Sequence, residues 1–149
     1  MKVKHLLFSI IVAAFLSSAI SFDKKLEVGS KAPEIENIIG DNVGYDVKAE
    51  QKNKLVSFWN PKNPASRIAN RKLNLKYGSN NEENIEFISI STDPDSELMA
   101  EVMKIDGINA DKVFSYQDVS SRVFKDYGVE NAPRAFKISP DGKILEIYE

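Results

Sequence analysis

The chain of 149 residues contains no cysteine, and its only histidine is His5. The absence of cysteine excludes disulfides, thiol nucleophiles and the sulfur ligands that structural zinc sites favour. His5 falls in a segment that we expect to be removed, so the mature protein also lacks the side chain best suited to acid–base catalysis near neutral pH. We therefore predict no metal and no cofactor, and we assign no catalytic residue.

The first 21 residues have the pattern of a secretory signal peptide. Lys2 and Lys4 precede an apolar run over residues 6–16, and small residues follow as far as Ser21. The apolar run is shorter than the ~20 residues that are needed to span a bilayer. We expect cleavage near Ser21 and a periplasmic or secreted product. The alternative is an uncleaved segment that anchors the protein to the membrane.

Residues 22–149 are predicted to form one domain, because this length buries one core and is too short for two. The full chain has a formal net charge of −2. Removal of Lys2 and Lys4 would make the net charge about −4. A surface with this charge has no reason to bind nucleic acid.

The spacing of apolar residues predicts alternating strands and helices. Residues 22–53 are polar and rich in turn signals, which indicates a loop or short hairpin before the core. The strands are predicted at residues 55–59, 85–90, 113–114, 135–138 and 144–148, and the helices at residues 65–77, 98–105 and 119–127. This order indicates an α/β fold with a mostly parallel sheet, and Pro140-Asp141-Gly142 predicts an antiparallel hairpin at one edge.

The first predicted helix has an apolar face and a basic face. Its inward face is predicted to consist of residues three or four positions apart: Ala65, Ile68, Ala69, Leu73 and Tyr77. Arg71, Lys72 and Lys76 are interpreted as the solvated face. In the second predicted helix, Leu98, Met99, Val102 and Ile105 are expected to point inward.

The second predicted helix follows several acidic residues in the segment 92–97. These acids resemble a calcium loop weakly, but the glycine and the distant glutamate of such a loop are missing. We interpret the segment as a helix start, with Thr92 or Asp93 as the cap before Pro94.

Three segments, in the right order, resemble thioredoxins and the related branch of periplasmic thiol-disulfide oxidoreductases and AhpC-TSA-like proteins. Residues 55–67 (LVSFWNPKNPASR) are similar to the family's active-site strand and helix start, and residues 91–95 to the loop after the next core strand. Residues 127–144 resemble its Tyr-Gly-Val segment, cis-proline strand and Pro-Asp-Gly hairpin. The resemblance spans residues 26–149 and implies a thioredoxin-like fold with a mixed central sheet and flanking helices.

The chain departs from this family at the positions that carry the redox chemistry. Asn63 and Ser66 stand where the family has its two cysteines, Lys62 replaces the usual tryptophan, and Ser57 replaces a buried Asp or Asn. An amide and a hydroxyl cannot exchange disulfides, so we predict a redox-inactive protein in which Asn63 or Ser66 caps the helix. The alternative is a Ser66 nucleophile with Lys62 as its base.

The resemblance implies a cis peptide bond before Pro133, with the backbone of Ala132 facing an extended peptide. The candidate peptide-binding residues at this degenerate active-site position are Trp59, Lys62, Asn63, Ser66, Ala132 and Pro133. We expect a binding module that recognises an extended peptide or an envelope protein. The alternative is an oxidoreductase-related enzyme or an accessory subunit that works with a thiol-active partner.

The end of the last strand gives one further expectation. The resemblance implies a helix after that strand, but the chain reaches Glu149 with Ile144 and Ile147 still in a strand-like pattern. We therefore expect one face of the sheet to be incompletely covered. A homodimer, a partner protein or the segment 26–39 would complete it.

Overall fold

The structure, a computed structural model, describes residues 25–35, 51–78, 84–130 and 133–149. The predicted signal peptide, part of the polar segment before the core and Ala132 lie outside the described residues. The elements are β1 (Lys54–Trp59), α1 (Pro64–Tyr77), β2 (Glu86–Ser91), α2 (Ser96–Asp106), β3 (Lys112–Phe114), α3 (Ser121–Asp126), β4 (Ala135–Ile138) and β5 (Ile144–Tyr148). None of the helices in these ranges has the length and apolar character needed to cross a membrane.

The five strands form one mixed sheet in the order β3-β2-β1-β4-β5. Strands β1, β2 and β3 are parallel, whereas β4 runs antiparallel to β1 and β5 antiparallel to β4. All residues of β1 and β2 are buried, as is typical of parallel strands that are covered on both faces. In the β4–β5 turn Gly142 adopts a φ of 81°, which the predicted Pro-Asp-Gly hairpin requires. The predicted fold class is confirmed.

One face of the sheet, here called the α3 face, carries the larger core. Val56 and Phe58 of β1 point to this face and pack with residues of α3 and β4. The segment 25–35 runs beside β5, where Ile144 N donates to Ser30 O at 2.9 Å. From there Ala32 and Ile35 pack into the same core.

The opposite face, here called the α1 face, is covered by α1 and α2. Leu55 of β1, Phe87 of β2 and Ala135 of β4 pack there with Tyr77 at the end of α1. The described part of segment 26–39, residues 26–35, packs on the α3 face. The described residues of the segment therefore help to cover the α3 face, which is one of the alternatives expected from the sequence.

The inward side of α1 differs from the predicted one. Ala65, Ile68 and Ala69 are exposed, and the buried residues of the helix are Ser66, Asn70 and Tyr77. Polar hydrogen bonds set this orientation: Ser57 Oγ donates to Asn70 Oδ1 at 2.7 Å, and Ser66 Oγ accepts from the backbone of the loop after β1. The first turns of the helix are therefore rotated by about one residue, ~100°, from the predicted orientation. Near its end, Tyr77 is buried as predicted, and Leu73 packs against the same cluster.

Helix α2 also differs in detail from its prediction. Its cap is Asp95, whose side chain accepts from Leu98 N at 3.0 Å, so neither Thr92 nor Asp93 caps it. The interpretation of segment 92–97 as a helix start is nevertheless confirmed. Met99 and Val102 are buried as predicted, whereas Ile105 is exposed. The last turn is instead held to α1 by an ion pair of the next residue, Asp106.

Candidate functional site

The two residues at the family's cysteine positions both hold the start of α1. Asn63 is the N-cap, and its Oδ1 accepts from Ser66 N at 3.1 Å. Ser66 is buried, and its Oγ accepts from Asn60 N at 2.9 Å. Pro64 occupies the first position of the helix, where its missing N–H costs nothing. The prediction that Asn63 or Ser66 caps the helix is confirmed for Asn63.

Lys62 is engaged with the loop before α2. Its Nζ lies 3.1 Å from Asp93 Oδ1, and the same carboxylate oxygen accepts from Asp95 N at 2.9 Å. The side chain of Asp93 is largely buried while that of Lys62 is more than half exposed. No hydrogen bond joins Lys62 to Ser66 in this part of the described structure. The geometry therefore gives no support to the Ser66–Lys62 alternative.

Trp59 is a core residue that also borders the site. Its side chain is buried against Met99 and Val102 of α2, and its Nε1 donates to Ser89 Oγ at 2.8 Å. Since the indole N–H is satisfied and the ring is covered, Trp59 contributes a fixed wall and no open stacking surface.

A pocket of about 490 Å³ opens beside the start of α1, between this helix and strands β1, β4 and β5. Of the candidate peptide-binding residues, the structure brings Trp59, Asn63, Ser66 and Pro133 to its lining. Lys62 is not part of the lining. Ala132 lies outside the described residues, so the peptide bond before Pro133 does too.

Pro133 is held at the pocket by the strand that follows it. Arg134 O accepts from Phe58 N at 2.9 Å, which continues the β1–β4 pairing towards the end of β1. Pro133 thus lies just outside the paired strands, on the side from which α1 begins.

The floor and the far wall of the pocket contain residues that sequence reasoning missed. Ser57 and Asn70 form the buried hydrogen-bonded pair below α1, and Leu73 and Tyr148 contribute apolar wall. Asn70 Nδ2 is buried and has no hydrogen-bond partner among the residues that the structure describes. One signal was present in the sequence: Ser57 interrupts an apolar strand, and Asn70 follows Ser66 by one helical turn.

The charged side chains that α1 brings to the site are all basic. The helix contains no acidic residue, and Arg67, Arg71, Lys72 and Lys76 lie along it. The guanidinium of Arg67 makes two hydrogen bonds of 2.9 and 2.7 Å to Asp106, and these hold the pKa of the Asp106 carboxyl below its usual range. Lys72 is exposed at the pocket lining.

At the far end of the pocket, Tyr148 is part of a hydrogen-bonded row. Its hydroxyl donates to Glu146 at 2.8 Å and lies 3.1 Å from the hydroxyl of Tyr77. Burial raises the pKa of Tyr148, and the hydrogen bonds to Tyr77 and Glu146 raise it further. Tyr148 is therefore a neutral side chain throughout the physiological range, and its ring forms part of the pocket wall.

Comparison with known proteins supports the family resemblance. No family model matches the chain. The thiol-disulfide oxidoreductase ResA of Bacillus cereus is 25% identical, over 98% of this chain and 88% of its own length. A thioredoxin-like protein from Parabacteroides distasonis superposes with a TM-score of 0.66 at 22% identity, covering 84% of this chain and 89% of its own.

A second solved structure is the thioredoxin domain of a thiol-disulfide oxidoreductase from Bacteroides vulgatus. It superposes with a TM-score of 0.65 at 25% identity, covering 83% of this chain and 89% of its own. The sequence relatives and the structural neighbours thus agree with each other. The chain therefore belongs to the thioredoxin-like superfamily, as a variant without cysteine.

Proposed function

We propose that this protein is a redox-inactive binding module of the cell envelope that recognises an extended peptide or a partner protein. One observation carries the proposal. At the degenerate active-site position Asn63 and Ser66 make only local hydrogen bonds that fix the start of α1, yet an open, mostly apolar pocket begins beside them. Such a pocket with a few polar groups is the usual form of a binding site, so binding can persist where thiol chemistry has been lost.

The recognition mode that fits this site is the capture of an extended chain. Asn63 at the start of α1 and Pro133 before β4 both line the pocket. Backbone groups on these sides would pair with the peptide backbone, and the pocket would accept a side chain. The envelope location is supported by the N-terminal sequence pattern, which predicts export.

A turnover assay tests the redox part of the proposal. With dithiothreitol as electron donor, the wild-type protein should reduce insulin no faster than a sample without protein. The matched positive control is the double variant Asn63→Cys/Ser66→Cys, which should form an intramolecular disulfide, with the first thiol the more acidic because it lies nearer the helix N-terminus. Wild-type turnover above the background would favour the oxidoreductase-related alternative. Exclusively intermolecular disulfides in the double variant would show that the two positions do not superpose on a cysteine pair.

A titration tests the binding part. Envelope-derived peptides are added to isotope-labelled protein, and the amide shifts are followed by NMR. The shifts should cluster around Asn63, Ser66 and Ala132. Shifts confined to the opposite side of the sheet, for example around α3, would place the partner elsewhere and contradict the proposal.

A further inference from the structure

The floor of the pocket contains a polar group that the fold itself does not use. Asn70 is 1% exposed, and its Oδ1 accepts from Ser57 Oγ at 2.7 Å. Its Nδ2 has no hydrogen-bond partner within the described ranges. Buried polar groups without a partner are rare in native proteins, because their lost hydration is not replaced. Here the unpaired donor belongs to a residue of the pocket lining, where a ligand could pair with it.

The walls above this floor are apolar. Ile68, Ala69 and Leu73 of α1 line one side, and Ala135 and Tyr148 of the β4–β5 hairpin line the other. A group that enters between these walls must be apolar along its length, since a polar one would lose water without compensation. At its tip it must carry a hydrogen-bond acceptor for Asn70 Nδ2.

We infer that this pocket binds a tyrosine side chain of the partner peptide, an inference that rests on the proposed function. The phenol oxygen would accept from Asn70 Nδ2, and the phenol O–H would donate to Ser57 Oγ, which has acceptor capacity left. The other large side chains fit less well: phenylalanine and leucine carry no acceptor, tryptophan is only a donor, and methionine is a weak acceptor. A glutamate would bring a charge to an apolar floor.

The charges at the entrance indicate what should flank this tyrosine. Lys72 lies at the lining, and no acidic side chain is present on α1. Arg134 and Glu149 also line the pocket, and the largely exposed carboxylate of Glu149 lies 3.7 Å from Arg134. Because these two charges offset each other, Lys72 leaves the lining with a positive charge, and an acidic residue beside the tyrosine would approach it and strengthen binding at low ionic strength. The ligand class is therefore an extended peptide with a tyrosine next to an acidic residue.

The test compares two unstructured peptides that differ in one oxygen atom. One contains a single tyrosine flanked by aspartates, and the other has phenylalanine in its place. Fluorescence anisotropy should show about tenfold tighter binding of the tyrosine peptide to the wild-type protein, the net effect of the two added hydrogen bonds. In Asn70→Leu this difference should disappear. The matched control is Asn74→Leu, one helical turn further on, where the asparagine contacts Gly107 and Asn109 and does not line the pocket.

The outcomes separate this inference from the proposed function. Equal affinities of the two peptides for the wild-type protein would overturn the tyrosine assignment and leave peptide recognition intact. This comparison requires no variant, so a failure of Asn70→Leu to fold does not affect it. Binding of neither peptide, together with no amide shift from envelope peptides, would overturn both. Weaker binding of the tyrosine peptide as salt is added should accompany a positive result, and a salt-independent affinity would contradict the flanking acidic residue.

Discussion

The two faces of the sheet are built in different ways. On the α3 face Phe58 stands among three rings, those of Phe124, Tyr127 and Phe136, with centroid distances of 6.2, 4.8 and 6.2 Å. On the α1 face the same strand presents Ser57, which bonds to Asn70 beneath an open pocket. The α3 face provides most of the packing that stabilises the fold, whereas the α1 face retains unfilled space and an unpaired donor.

Strand β1 contributes to both faces because successive side chains along a strand point to opposite sides of the sheet. Val56 and Phe58 of β1 point to the α3 face, and Leu55, Ser57 and Trp59 point to the α1 face. A polar residue at position 57 therefore changes the floor of the pocket without disturbing the aromatic core behind it. This arrangement allows a binding site to change while the fold remains stable.

The largest expected difference between the faces concerns aromatic packing. Phe58→Ala should lower the free energy of unfolding by about 4 kcal/mol, because it removes the ring at the centre of the cluster. Urea denaturation followed by the fluorescence of Trp59 measures the loss. The control on the other face is Ile68→Ala, an exposed residue, which should change stability by less than about 0.5 kcal/mol. Similar losses in both variants would mean that the two faces contribute equally.

Removal of the unpaired donor, Asn70 Nδ2, should raise the free energy of unfolding instead of lowering it. Ser57→Ala/Asn70→Leu replaces both polar partners with apolar groups and should raise the free energy of unfolding by about 1.5 kcal/mol. The double variant should also lose any preference for a tyrosine peptide. The single variant Ser57→Ala leaves Asn70 wholly unpaired and should be less stable than the wild type. A double variant that is also less stable would show that the pair contributes to the fold and carries no cost.

The sequence predicted the sheet well and the orientation of α1 badly, and one physical reason explains both. The central strands β1 and β2 were located because strands buried on both faces read as short apolar runs. The hairpin of β4 and β5 was located from its Pro-Asp-Gly turn. In α1 the apolar residues Ala65, Ile68 and Ala69 line a pocket, and two of the three buried residues, Ser66 and Asn70, are polar. Periodicity cannot distinguish apolar residues that face a pocket from those that face a core.

The candidate site was predictable only in part, because some of its residues are defined by contacts between distant segments. Asn63 was identified as a helix cap because its residue type and position suffice for that role. Asn70 was not identified, because its importance depends on a contact with Ser57, thirteen residues away, that no local pattern encodes. The pairing of Lys62 with Asp93 connects still more distant segments.

The hydrogen bond that attaches the segment 25–35 to the α3 face should make a smaller contribution to stability. Tyr127 Oη donates to Pro33 O at 2.8 Å, and burial raises the pKa of this phenol. Tyr127→Phe should lower the free energy of unfolding by about 1 kcal/mol, because the carbonyl loses its partner. The matched control is Tyr116→Phe, whose ring stacks on Phe124 in the same core. If both variants lose the same amount, the hydrogen bond to Pro33 has no stabilising effect of its own.

The smallest expected effect concerns the ion pair that joins α1 to α2. Arg67 lowers the pKa of Asp106 in the folded protein, whereas the unfolded value is about 3.9. The folded state therefore binds fewer protons, so the stabilisation is complete above the unfolded pKa and is lost as the pH falls through the folded pKa. Asp106→Asn should cost about 0.5 kcal/mol at pH 7. Its stability should then fall less steeply than that of the wild type on acidification below pH ~4.

The control lies on the other face of the sheet. Arg122 and Asp126 form an exposed pair within α3, at 3.2 Å, and Asp126→Asn should cost less than Asp106→Asn because both partners remain well hydrated. The stability of both variants is measured as the denaturant midpoint at several pH values from ~3 to ~7, and the value at pH ~7 is the reference. Since the Arg67–Asp106 ion pair joins α1 to α2, the acid-induced loss should also weaken peptide binding at the pocket. An Asp106→Asn profile parallel to that of the wild type would mean that this pair does not contribute to the acid sensitivity of the α1 face.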